Sequence, residues 1–180
     1  MLELAVWLGL PAWIANATPV IFGGGRPIDG GRCFRDGRRL LGDGKTIRGF
    51  FVGVFFGILT GVGQSIAAPH LHPLLAQFVE VTPEMQYVLF MTFPSVVLLS
   101  VGALFGDIFG SFLKRRVNLE SGAPSPLLDQ LGFIIMGLLF AYPVLQPEPA
   151  FVVILIFITL AIHWISNALG YLLGFKKNPW

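Results

Sequence analysis

The sequence is poor in charge. Of its 180 residues, only 12% are Asp, Glu, Lys or Arg, against about 25% in an ordinary soluble domain. A soluble chain of this length exposes a large surface and needs polar groups to cover it. Its 54% apolar content and mean hydropathy of +0.75 point the same way. A soluble enzyme, a nucleic-acid binder and a disordered chain are therefore disfavoured, and no nucleic-acid partner is expected. Cysteine is nearly absent: Cys33 stands alone, which excludes an intramolecular disulfide and suggests no role of its own. No internal repeat is visible, which weighs against a transporter built from inverted repeats. The N-terminus has no Lys or Arg ahead of its apolar stretch and no evident cleavage site, so it reads as a retained helix rather than a signal peptide.

What the chain does have is long apolar runs. A spanning helix needs about 20 apolar residues to cross about 30 Å of hydrocarbon. Five stretches qualify, at residues 4–21, 49–68, 85–105, 128–146 and 150–175. The fourth is short, and the fifth is long enough to tilt. The expected fold class is an all-α integral membrane protein of five transmembrane helices, with two polar loops and a single domain over residues 1–180.

The basic residues are unevenly placed. Arg26, Arg32, Arg35, Arg38, Arg39, Lys45 and Arg48 lie between the first and second spans; Lys114, Arg115 and Arg116 lie between the third and fourth; Lys176 and Lys177 follow the fifth. The connections near Pro69–Pro83 and Pro147–Pro149 contain none. The positive-inside rule then puts both long loops and the C-terminus in the cytoplasm and the N-terminus outside. The net charge of +2 thus conceals a basic inner face and an acidic outer one. His70 and His72 fall on the outer side by this topology, out of reach of an inner site.

The first loop is rich in glycine, from Gly23 to Gly49, with cations interspersed among Asp29, Asp36 and Asp43. Glycine lets a backbone approach a ligand and turn its N–H groups inward, as phosphate nests require. A plain reading is a basic loop touching anionic headgroups, but that needs neither the glycines nor the carboxylates. Gly42-Asp-Gly-Lys-Thr46 invites comparison with a P-loop. The pattern requires glycine where Arg39 stands, and no strand precedes it, so the P-loop is rejected. Lys45 remains a candidate phosphate ligand at the entrance to the second helix, where the helix dipole would assist it.

In the second loop, Asp107 stands where the third span meets the cytoplasm. If that helix continues, Asp107, Ser111, Lys114 and Arg115 share a face. Asp129 and Gln130 open the fourth span, so Asp107 and Asp129 are expected at the same depth on adjacent helices. Each has a structural alternative: an ion pair with a loop arginine for Asp107, and a favourable contact with the helix dipole for Asp129. Together, two carboxylates beside cations and a glycine-rich loop are what a Mg²⁺–nucleotide site needs, because Mg²⁺ takes one or two protein carboxylates plus phosphates and water. Asn16 and Thr18 lie near the inner end of the first span. His163 and Asn167 share a face of the fifth, where a structural pair is the simpler reading and their role stays open. Intramembrane polar residues either bond neighbouring helices or mark a site.

Taken together, these motifs resemble one family. Asn16-Ala-Thr-Pro19, Asp29-Gly-Gly, Leu41-Gly-Asp-Gly-Lys-Thr-Ile-Arg-Gly49, Gly106-Asp107-Ile-Phe-Gly-Ser-Phe-Leu-Lys-Arg-Arg116 and Pro124-Ser-Pro-Leu-Leu-Asp-Gln130 are similar to those of the archaeal CDP-archaeol synthases. The resemblance runs over the whole chain. It implies a Mg²⁺-dependent cytidylyltransferase that joins CTP to an isoprenoid ether lipid phosphate, releasing pyrophosphate. The related CDP-diacylglycerol synthases carry a Lys-Thr-x-x-Gly motif, matched here by Lys45, Thr46 and Gly49, and a carboxylate motif matched by Asp107. On this reading Asp107 and Asp129 hold the metal, with Lys45 and Lys114 completing the catalytic set. Asn16, Thr18, Asp29, Arg35, Arg38, Thr46, Arg48, Ser111, Arg115 and Gln130 are the candidates for substrate contact. A CDP-alcohol phosphotransferase is the nearest rival, but the Ala-Arg expected after Asp29-Gly30 is missing. A non-enzymatic anionic-lipid scaffold or channel would leave the paired carboxylates unexplained.

Overall fold

The computed structural model describes residues 1–121 and 123–174. Six helices follow one another: α1 Leu2–Phe22, α2 Ile47–Leu75, α3 Pro83–Leu89, α4 Phe93–Arg116, α5 Leu128–Leu145 and α6 Pro149–Leu172. All but α3 are long and apolar enough to cross a membrane. The protein is a multi-pass, all-helical membrane protein, with no named strand among the described residues. Lys176, Lys177 and the expected end of the fifth span at Phe175 lie outside the described residues.

The third span departs most from expectation. A single helix over 85–105 is replaced by the short α3 and by α4, which starts at Phe93. Pro94 is the cause. It has no N–H for the carbonyl of Phe90, and its ring would clash there, so a continuous helix cannot pass. The chain restarts instead, with Thr92 as N-cap accepting from the N–H of Ser95 and Pro94 in the first turn, where its missing donor is harmless. At its other end α4 runs on to Arg116, so Asp107, Ser111, Lys114 and Arg115 are all helical. The second span also exceeds 49–68, continuing through Pro69 and Pro73 to Leu75.

Helix α2 lies against α1 and α4 along a seam of glycines. A Cβ on Gly53 would stand 2.6 Å from the carbonyl oxygen of Ala15, and one on Gly57 would run into Ser100 and stand 2.9 Å from the oxygen of Pro11. Small residues permit this backbone approach, which replaces the hydrophobic drive that lipid cannot supply. Leu8, Leu99, Ile134, Phe151 and Leu155 fill the centre between α1, α4, α5 and α6. Several polar groups within the spans find partners, as hydrocarbon demands, although Gln64 Oε1 is buried without one among the described residues. Trp7 Nε1 donates to Leu89 O at 3.1 Å, Trp13 Nε1 to Thr159 Oγ1 at 3.1 Å and Gln64 Nε2 to Trp7 O at 2.7 Å. Phe51, Phe55, Ile66, Phe157 and Trp164 are exposed, which suits lipid contact.

The loop between α1 and α2 is folded rather than extended. Ile28 N donates to Lys45 O at 2.8 Å and Ile47 N to Arg26 O at 3.1 Å, while Phe34 N bonds Arg38 O at 2.7 Å and Leu40 N bonds Arg32 O at 3.0 Å. These contacts fold the glycine-rich segment back on itself and bring Lys45 to the mouth of α2.

Candidate active site

A cavity of about 340 Å³ opens where the two loops meet the helix ends. Each side of it is supplied by a different element. Asn16 and Pro19 come from α1, Lys45 and Thr46 from the loop and N-cap of α2, and Asp107 and Lys114 from α4. Residues 123–126, Asp129 and Gln130 come from the second loop and the start of α5, and His163 and Asn167 come from α6.

Two ion pairs dominate its chemistry. Lys45 Nζ lies 2.6 Å from Asp107 Oδ2, and Lys114 Nζ lies 2.7 Å from Asp129 Oδ1. Both carboxylates are about one-third exposed. Asp129 Oδ2 also accepts from the N–H of Ser125 at 2.9 Å, tying the second loop to the first turn of α5. Asp107 is thus ion-paired, as its structural alternative supposed, though with a lysine of the other loop rather than an arginine. Thr46 is buried at the N-cap of α2, its side chain accepting from Gly49 N at 3.0 Å. The positive end of the α2 dipole therefore faces the cavity beside Lys45.

Burial, rather than helix period, decides which expected residues arrive here. At about 100° per residue, Lys114 sits about 20° from Asp107 around α4, and both face the cavity. Ser111 and Arg115, about 40° and 80° from Asp107, fall within the arc spanned by Asp107, Leu104 and Ile108, all of which line the cavity. Yet Ser111 and Arg115 are both buried, and Arg115 Nη2 donates to Glu120 O at 2.9 Å. On α1, Thr18 lies roughly opposite Asn16 and returns its hydroxyl to Ile14 O at 2.9 Å. Asn16, Lys45, Thr46, Asp107, Lys114, Asp129 and Gln130 are thus brought together, whereas Thr18, Ser111 and Arg115 do not line the cavity. Arg35 and Arg48 are exposed and also stand off it.

Asp29 organises the first loop. It is buried, and Arg39 bonds both of its oxygens, Nη2 to Oδ1 at 3.0 Å and Nε to Oδ2 at 3.2 Å. The N–H groups of Gly31, Leu41 and Gly42 supply three more bonds at 3.0, 3.0 and 3.2 Å. Burial opposes its charge, but the Arg39 guanidinium and these backbone donors outweigh it and hold its carboxyl well below the usual carboxylate range. Arg38 and Arg116 join the two loops. Arg38 Nη1 donates to Arg116 O at 2.7 Å, and Arg116 Nη1 pairs with Asp36 at 2.6 Å. The Arg116 guanidinium also lies 4.8 Å and 5.0 Å from the ring centroids of Phe34 and Phe112, a cation–π arrangement.

Arg39, Arg116 and Ser125 are contributors that the sequence reading missed. Arg39 pairs with Asp29 and Asp43 inside the first loop, Arg116 reaches across to Asp36, and Ser125 meets Asp129 through its backbone N–H; no residue spacing is diagnostic of these contacts. His163 and Asn167 were visible as a pair, but their facing the cavity was not.

The comparisons with known proteins follow the same outline. A family model described as CarS-like CDP-archaeol synthase matches residues 1–180. The chain belongs to that family. Its relatives named CDP-archaeol synthase include one from Thermococcus kodakarensis, 48% identical over 176 residues, covering 98% of this chain and 95% of that protein. Another, from Pyrococcus horikoshii, is 46% identical over the same shares, and one from Methanopyrus kandleri is 44% identical over 97% of this chain and 91% of its own. A solved structure described as an intramembrane enzyme for archaeal membrane lipids biosynthesis is 39% identical, with a TM-score of 0.74 over 91% of this chain and 92% of that one.

Proposed function

We propose that this member of the CDP-archaeol synthase family transfers CMP from CTP to an archaeal lipid phosphate, digeranylgeranylglyceryl phosphate, giving CDP-archaeol and pyrophosphate. One membrane-embedded domain carries the reaction, with its loops and C-terminus cytoplasmic and its N-terminus outside. The observation that carries this reading is the pair of Lys–Asp bridges opening on one cavity beside the N-terminus of α2.

The residues present suit Mg²⁺. Two hard carboxylates share the cavity, and among the described residues no cluster of three or more His, Cys, Asp or Glu is placed to hold a metal. That is a poor cage for a metal needing a full protein shell, but it fits an ion that takes one or two carboxylates and fills its remaining positions with phosphate and water. Asp107 and Asp129 would hold it. When bound, it would neutralise phosphate charge and fix the triphosphate for displacement.

The lysines have their own work. In the unliganded protein each balances an aspartate. When a polyanion enters, Lys45 and Lys114 can turn to its phosphates and leave the carboxylates free, so the cavity changes partners without ever holding a large unbalanced charge. Thr46 and the first N–H groups of α2 present a fixed positive end beside Lys45. The lipid phosphate is already anionic at neutral pH, so no strong general base is required. One of its oxygens forms a bond to the α-phosphorus of CTP, the bond from that phosphorus to the bridging oxygen breaks, and pyrophosphate leaves with the electron pair. The protein supplies alignment and charge neutralisation, the main terms in nucleotidyl transfer.

The test is a labelled-CTP assay on purified protein with Mg²⁺ and either the isoprenoid ether or an acyl ester lipid phosphate. CTP-dependent product from the ether lipid is expected, and product from neither lipid overturns the reading. Asp107→Asn should lower turnover at least ~100-fold, the scale for losing a charge-stabilising group. Full activity in that variant would remove Asp107 from the metal site.

A further inference from the structure

The first loop meets α4 at two places. One is the Lys45–Asp107 bridge in the cavity. The other lies outside the cavity, at the last residue of α4, and is built around Arg116. Its guanidinium reaches three residues of the loop. Nη1 bonds Asp36 Oδ1 at 2.6 Å, and Nη2 donates to the carbonyls of Arg39 at 2.5 Å and Arg38 at 3.4 Å. Phe34 of the loop and Phe112 of α4 meet edge to face with centroids 5.7 Å apart, and the same guanidinium lies beside both rings. In return, Arg38 Nη1 donates to Arg116 O at 2.7 Å. A planar fork that meets acceptors and rings at once is arginine chemistry that lysine does not reproduce. The Arg116 side chain is only 17% exposed, so its contacts are little screened.

From Arg116 the contacts run inward to Lys45. The carbonyl of Arg39 accepts from Arg116, and the side chain of Arg39 holds Asp29. Asp29 in turn holds the N–H groups of Leu41 and Gly42. Gly42 O accepts from Lys45 N at 3.3 Å, and Ile28 N donates to Lys45 O. On its other side Lys45 adjoins Thr46, which caps α2. Lys45 is thus held between α2 and a folded loop whose outer end is pinned to α4. Asp107 and Lys114 ride on that same helix. The tie matters most once nucleotide is bound. When Lys45 turns from Asp107 to a phosphate, the cavity bridge is lost, and the Arg116 cluster is the polar tie that remains between this loop and α4 among the described residues.

We propose that Arg116 is a positioning residue: by pinning the outer end of the first loop to α4, it sets Lys45 against Asp107 and Lys114 for the nucleotide phosphates. This rests on the cytidylyltransferase reading. Arg116 does not line the cavity, so it acts through Lys45 and not on the substrate.

The experiment compares wild type with Arg116→Gln, Arg116→Lys and Asp36→Asn, each purified in detergent. Two quantities are read: the rate at which trace acetic anhydride acetylates each lysine, resolved by mass spectrometry, and direct binding of CTP with Mg²⁺. In Arg116→Gln, Lys45 should acetylate several-fold faster. Lys114, held by Asp129 and Ala123 O, should keep its wild-type rate, which also shows that the bundle is folded. CTP binding should weaken about 10-fold, within the range of coupling inside one contact network. Arg116→Lys keeps the charge but loses the fork, and should recover only part of both effects. Asp36→Asn removes one partner of Arg116 and should act in the same direction but less; it carries the test where Arg116→Gln does not fold. Unchanged acetylation of Lys45, an equal rise at both lysines, or full recovery of CTP binding in Arg116→Lys overturns the inference, the last because charge alone would then account for it. Wild-type protein that binds no CTP overturns the underlying reading instead, and the acetylation rates still judge the geometry.

Discussion

Asp29 and Asp107 have the same side chain and opposite duties, and only their surroundings tell them apart. Asp107 is about one-third exposed in the cavity and bonds a single lysine, which leaves its Oδ1 unbonded among the described residues. Asp29 is buried beneath five hydrogen bonds from Arg39 and the backbone. The second is a knot that shapes the loop. Its carboxyl is held below the ordinary range, so its stabilising effect is complete above the unfolded value of about 4 and is lost as pH falls from there toward the folded value. Asp29→Asn should therefore destabilise the protein at pH 7, by about 2 kcal/mol for a buried group losing charge-assisted bonds. The gap to wild type should narrow as pH drops below about 4. Thermal unfolding in detergent across that range checks both statements. A gap that widened in acid would contradict the depressed carboxyl. Sequence alone showed Asp29 within a glycine-rich run but could not say that its bonds turn inward. Arg115 misled for the same reason: a cation in a basic loop looks available until packing buries it.

At the scale of the element, the regular features were legible and the interruptions less so. Long apolar runs placed three of the five spanning helices closely, while the second runs past its expected end to Leu75. The third failed at Pro94, where Thr92 supplies a cap and the chain starts afresh. Thr-x-Pro ahead of an apolar run is a helix-start signal, but it was hidden inside an apolar stretch. The glycine seam of α2 was also written in the sequence, though its partners were not. Gly57 packs against Ser100 and the oxygen of Pro11, whereas Gly63 on the same helix has open space beside it. Gly57→Leu should push α1 and α4 away from α2, with a penalty of about 3 kcal/mol or more for overpacking against backbone. Gly63→Leu should leave the melting temperature near wild type, since the same side chain would point into lipid. Equal effects at the two positions would show that the seam does not depend on close approach.

At the scale of the whole molecule, the scarce charge acts as an address. The loops between α1 and α2 and between α4 and α5 sit at one end of the bundle, and every described Lys and Arg lies in the first loop, in the first turn of α2 or in the last turn of α4, so one end is both the cationic face and the cavity mouth. A cation-rich end resists translocation, and on the proposed function the cavity has to open where a cytosolic nucleotide and a membrane phosphate are both found. The charge pattern and the proposed chemistry thus predict the same placement by independent arguments. Single cysteines test it in a chain whose only native one, Cys33, is exposed in the first loop. With Cys33 changed to Ser, Cys placed at Asp43 should be labelled by a membrane-impermeant maleimide only after cells are opened. Cys placed at Glu80, an exposed residue between α2 and α3, should be labelled in intact cells. The reverse pattern would put the Lys–Asp cavity on the wrong side of the membrane for CTP, and the proposed reaction would fail with the topology.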